Sequence, residues 1–111
     1  METINFSVQG SVETPYEVSF IFDDLKLNAF CTCPAGNSGM ACKHRLSILA
    51  GIATGVVSDN ADQIPNVVMW LQGSEIEKSL AELAVAEAEL EQAKKRVSVV
   101  KKKLSMSMVK K

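Results

Sequence analysis

Aromatic side chains are scarce in this chain: one Trp, one Tyr and four Phe, 5% of 111 residues. A core built from it must therefore rest on Val, Ile, Leu, Ala and Met. No stretch free of charged residues reaches the about 20 that a membrane-spanning helix needs. The opening residues, Met1 to Asn5, lack the basic and apolar regions of a secretory signal. The expectation is an intracellular protein in a reducing compartment, with no membrane role: cytoplasmic in a bacterium or phage, with the nucleus open in a eukaryote. The formal net charge of −1 excludes a uniformly basic nucleic-acid sleeve. At 111 residues, 47% of them apolar, one core is expected and wholesale disorder is not.

The even average hides an asymmetry. Residues 1–93 hold 4 basic side chains and all 13 acidic ones, whereas residues 94–111 hold 8 basic and no acidic ones. The split bears on partners and on self-pairing.

Hydrophobic period divides the chain. Ile4, Phe6 and Val8 alternate with polar residues, as do Tyr16, Val18, Phe20 and Phe22, and then Leu25, Leu27 and Ala29. Period two predicts three strands in an antiparallel meander, with Asp23-Asp24 as a turn. Pro34 to Gly39 reads as a loop. After Cys42 the period becomes helical through Leu46, Leu49, Ala50 and Ala53, with Ile48 and Ile52 alongside and Gly55 as the C-cap. Ser58-Asp59-Asn60 reads as a loop and Asp62 as the cap of a short helix carrying Ile64, Val67, Val68 and Leu71, closed by Gly73. Trp70 falls at the edge of that face, as core or interface. The fold class expected is α+β: a small antiparallel sheet with a helix around one zinc, then a long amphipathic helix. The corresponding division is 1–57 for the zinc module, 58–73 for a linker and short helix, and 74–111 for the long helix.

Three cysteines, an odd number, cannot close into internal disulfides alone, and one intervening residue makes a Cys31–Cys33 bridge strained. The only histidine, His44, lies two residues after Cys42. Cys31, Cys33, Cys42 and His44 therefore offer three thiolates and an imidazole in the pattern C-x-C-x8-C-x-H. Zinc takes such ligands in a tetrahedron, and four protein ligands leave no open position, which makes the site structural. The loop containing Gly36 and Gly39 gives the backbone freedom to bring the pairs together. Lys43 and Arg45, interleaved with the last two ligands, offset the negative centre and favour thiolates.

The stretch from Tyr16 to Ile52 resembles a SWIM-type zinc finger. Strands lead into Cys31-Thr32-Cys33-Pro34, and Ala41-Cys42-Lys43-His44 follows and opens a helix. About a third of the chain carries the resemblance. It implies a strand pair plus helix, one zinc ion, and a role in contacting DNA or proteins.

No Gly or Pro occurs after Gly73, and Ser74-Glu75-Ile76-Glu77 is a capping box. Ile76, Leu83, Leu90, Val97 and Leu104 repeat every seven residues, with Ala86, Ala93 and Val100 three after the middle members, so a helix over 75–104 is expected. Acidic residues fill its first half and Lys94, Lys95, Arg96, Lys101, Lys102 and Lys103 its second. Helix-dipole complementarity explains this order, and so does antiparallel pairing of two copies. The apolar stripe serves a homodimer, a partner protein, or packing onto the chain's own zinc module.

Phosphate-loop and dinucleotide motifs are missing. With His44 committed to metal, a Ser–His or Cys–His pair has no base. The expectation is a non-enzyme without a small-molecule substrate, acting as an adaptor or accessory protein through its long helix. The alternative is a nucleic-acid-associated protein contacting DNA or RNA through Lys43, Arg45 and the basic end.

Overall fold

A computed structural model describes residues 1–109; Lys110 and Lys111, the last two of the expected basic end, lie outside them. Two units form, one from Met1 to Glu77 and one beginning at Lys78. The first is a three-stranded antiparallel sheet in the order β1 (Glu2–Val8), β2 (Tyr16–Asp23), β3 (Lys26–Cys31). Helices α1 (Pro34–Asn37), α2 (Lys43–Leu49) and α3 (Ile64–Leu71) follow, with a 3-10 turn at Ala61–Gln63 before the last. The α+β expectation holds.

Alternation places the core. Phe6 pairs with Val18, Phe20 with Ala29, and Val18 with Cys31 across the ladders. Phe6, Val18 and Phe20 are wholly buried, and Phe6 meets Phe20 edge-on at 6.0 Å between ring centroids. Ile48 and Leu49 of α2 and Ile64 and Val67 of α3 join the same cluster. Residues 58–73, the expected linker and short helix, fall within this unit. Trp70 stacks on Phe22, with ring planes 5° apart.

Several boundaries differ from the expectation. The β2–β3 turn is Asp24-Leu25, both at positive φ, as a two-residue hairpin turn demands. Leu25 is consequently 79% exposed instead of continuing the apolar face. Pro34–Asn37 is a helical turn, not a loop: Pro sits in its first turn and Cys33 caps it. Helix α2 stops at Leu49, because Gly51 at φ 83° supplies the terminator expected of Gly55. The amides of Gly51 and Ile52 donate to the carbonyls of Ile48 and Ser47, which is a Schellman closure. Ala53 and Ile52 lie beyond it and are exposed. Gly55 instead serves the edge of the sheet. Gln9 N donates to its carbonyl, Val57 N donates to Ser7 O, and Ser58 and Asn60 side chains bond Ser7 N and Asn5 O. Asp62 lies in the 3-10 turn and caps nothing; Gln63 precedes α3 without a side-chain bond.

The final helix, α4, runs Glu75–Met108, four residues past its expected end. Ser74 Oγ accepts from Glu77 N at 3.2 Å, while the Glu77 carboxylate reaches back to Gly73 N rather than to Ser74. Ile76 packs against the core of the first unit, but α4 contains no buried residue. Among the described residues no helix is long and apolar enough to cross a membrane.

Candidate metal centre

The end of β3 carries Cys31 on the core face, and the chain turns at once into α1 with Cys33 as its N-cap. Cys42 is the N-cap of α2, which places His44 in the first turn of that helix. Two strand-end thiols and two helix-start ligands are thereby brought together. One ligand atom from each of Cys31, Cys33, Cys42 and His44 lies within 4.8 Å of the others, and all four residues are at least nine-tenths buried. Cys31 Sγ stands 3.8 Å from His44 Nδ1. Bond lengths of about 2.3 Å to sulfur and 2.0–2.1 Å to nitrogen set the corners of a tetrahedral zinc site about 3.5–3.8 Å apart. The Cys31–His44 separation matches that edge, and the 4.8 Å bound on the whole set lies about 1 Å above it.

A second observation concerns the sulfurs alone. Each receives a backbone amide: Cys33 N donates to Cys31 Sγ at 3.5 Å, Gly36 N to Cys33 Sγ at 3.3 Å, and Arg45 N to Cys42 Sγ at 3.5 Å. Amides aimed at sulfur favour the thiolate, the form a metal takes. Arg45 adds a charged donor, its Nε lying 3.2 Å from Cys42 Sγ. The rest of its guanidinium donates to the carbonyls of Ala29, at 3.0 Å, and Met40. Arg45 thus ties α2, the outer strand and the knuckle loop together.

Without a metal these groups diverge in acidity. Burial, with a smaller push from the Cys33 and Cys42 side chains, outweighs the Cys33 amide and drives the Cys31 thiol up to about 12. Burial also pushes Cys42 upward. There the Arg45 amide and guanidinium and the neighbouring thiols win, and it titrates below its ordinary value. Burial first, and the Lys43 charge second, hold His44 below its usual range, so the ring is neutral at pH 7 and fit to ligate. Its Nδ1 is on the sulfur side. Its Nε2 is buried without a hydrogen-bond partner among the described residues, 3.5 Å from where a Cβ on Gly10 would stand. Tyr16 covers the ring at 5.0 Å between centroids.

Family models, curated proteins and solved structures return no match to this chain.

The remaining sequence-derived contact residues fall in two places. Lys43 is exposed at the start of α2, whereas Arg45 is half-buried and engaged as described. Lys94, Lys95, Arg96, Lys101, Lys102 and Lys103 are all exposed on α4. The structure adds Gly36, which sequence reasoning valued only for flexibility. A Cβ there would stand 2.2 Å from the Cys31 carbonyl oxygen, so the position demands absence of a side chain, at an ordinary negative φ. The signal available was glycine three residues after a ligand. Tyr16 and Gly10 carried no signal linking them to His44.

Proposed function

We propose that this chain is a non-catalytic, zinc-stabilised interaction module of SWIM-finger type, in which Cys31, Cys33, Cys42 and His44 hold one structural zinc and α4 is the contact element. The single observation that carries the reading is the buried four-ligand cluster with an amide directed at every sulfur. Four protein donors complete a tetrahedron and leave zinc no position for substrate or water. The metal's role is then to join the end of β3 to the start of α2. Structural zinc contributes about 10–16 kcal/mol of apparent folding energy in small domains.

The adaptor reading is favoured over nucleic-acid contact because Arg45 serves the metal centre and the sheet rather than the surface. Exposed Lys43 and the basic side chains of α4 support the second reading.

Metal analysis of freshly purified, untagged protein is the test. One zinc per chain is expected, together with loss of the folded sheet on chelation. A protein that is empty, folded and indifferent to chelators overturns the proposal. A nucleic-acid titration across a salt series separates the two readings. Affinity that falls steeply with salt and is blunted by neutralising Lys101, Lys102 and Lys103 favours the second.

A further inference from the structure

Ser79, Leu83, Ala86, Leu90, Ala93, Val97, Val100 and Leu104 follow one another along α4 at alternating steps of four and three residues. Steps averaging 3.5 keep a seam on one side of a gently supercoiled helix. Every one of these residues is exposed. Flanking the seam are Glu82, Glu89, Arg96 and Lys103 on one side and Leu80, Glu87, Lys94 and Lys101 on the other. None of Glu82, Glu87, Glu89, Lys94, Arg96 and Lys103 is in an ion pair among the described residues.

We propose that this seam pairs with the same seam of a second copy of the chain, antiparallel, in the register that sets Leu90 of one copy against Ala93 of the other. The inference rests on α4 being the contact element and names its partner. In this register Leu83 faces Val100, Ala86 faces Val97 and Ser79 faces Leu104, and the two-fold axis repeats each layer. Three of the four layers set a large side chain against a small one, so the seam fills without crowding. The same register brings Glu75 opposite Met108, the two ends of α4, so the helices overlap over their whole length.

Charge selects this arrangement. Glu82 lies beside the partner copy's basic residue at position 103, Glu89 beside that at 96, and Glu87 beside that at 94, each twice by symmetry. A parallel dimer sets Glu82 beside Glu87 and Arg96 beside Lys101, with only the Glu89–Lys94 pair attractive. Slipping the antiparallel pair by one heptad sets residue 96 against 96 and 94 against 94, or 89 against 89 and 87 against 87. Either slip opposes like charges at the centre of the seam. The acidic-then-basic order of α4 is therefore self-complementary in one orientation and one register.

The test uses the full chain, loaded with zinc. Sedimentation equilibrium at tens of micromolar in low salt is expected to give twice the 12.0 kDa chain mass, with dissociation as salt rises. A zero-length carbodiimide coupling is expected to join Glu82 to Lys103. Along a single helix those residues are about 32 Å apart, so that link must be intermolecular. The triple variant E82K/E87K/E89K and the triple variant K94E/R96E/K103E should each be monomeric alone and should form a heterodimer when mixed. A folded, zinc-loaded monomer overturns the pairing, as does a dimer without the Glu82–Lys103 link or a mixture that stays monomeric. If α4 binds a different protein but never itself, the second copy is the wrong occupant and the contact element stands. Metal content of the same sample judges the zinc module separately.

Discussion

Arg45 and Gly36 show how much of the candidate metal centre lies outside its four candidate ligands. Arg45 gives Cys42 two donors, one from its amide and one from its side chain. Replacing it with Met keeps the amide and the packing of the stem but removes the guanidinium. Loss of such an outer partner costs metal affinity about 10–100-fold, and competition with a chromophoric chelator should read a weakening of that order. Gly36→Ala acts differently. Its new Cβ meets the Cys31 backbone, which must move, so both zinc affinity and thermal stability should fall. Gly39→Ala is the control: it has open space around it and a φ of 77°, and should cost only about 1 kcal/mol with zinc binding retained. Equal damage from the two substitutions would show that Gly36 contributes chain flexibility and nothing more. At this scale the four clustered side chains were legible because C-x-C and C-x-H are local patterns. The need for glycine at position 36 was not, because it arises from a carbonyl five residues away that only the fold brings close.

At the scale of elements, the strands and the helices α2, α3 and α4 announced themselves by period, whereas α1 and the element ends did not. The alternation of β1 and β2 and the seven-residue repeat of α4 are properties of contiguous sequence. Termination depends on backbone geometry: either Gly51 or Gly55 could have closed α2, and the residue whose amide reaches the Ile48 carbonyl decided it. The hairpin turn is a case of local preference overridden by pairing. Asp24 and Leu25 adopt φ values of 51° and 63°, a region that Leu rarely visits. The double variant Asp24→Asn, Leu25→Gly fits that turn better and should raise stability by about 1 kcal/mol in urea unfolding. Ser74→Ala should lower it by about as much, since Ser74 Oγ both accepts from Glu77 N and donates to Leu71 O.

For the whole molecule, the proposed zinc would compete with protons for the same four side chains. A ligand must shed its proton to bind, so zinc loading should release protons near pH 7, above all from Cys31, whose buried thiol is pushed up to about 12. Calorimetry in buffers of differing ionisation enthalpy measures that number directly. In acid the order reverses and zinc should leave. The metal-free chain weakens in the same direction. His44 has a lower proton affinity folded than unfolded, so the unfolded chain takes up a proton first as pH falls below about 6.5. Trp70, the one indole, stacks on Phe22 in the first unit and should report the collapse by fluorescence. A signal unchanged down to pH 4 contradicts this coupling.

Each border of the sheet is bonded by groups remote in sequence, β1 at several points and β3 at one. Residues 55–60 lie along β1, and the Arg45 guanidinium occupies the Ala29 carbonyl of β3. Open strand borders are where foreign chains dock and fibrils grow. The guard on β3 is also bonded to Cys42 Sγ, one of the four candidate ligands, so one side chain serves the strand border and the cluster together. Replacing Arg45 should therefore leave the Ala29 carbonyl open and give the protein a tendency to build insoluble cross-strand assemblies, which turbidity would report.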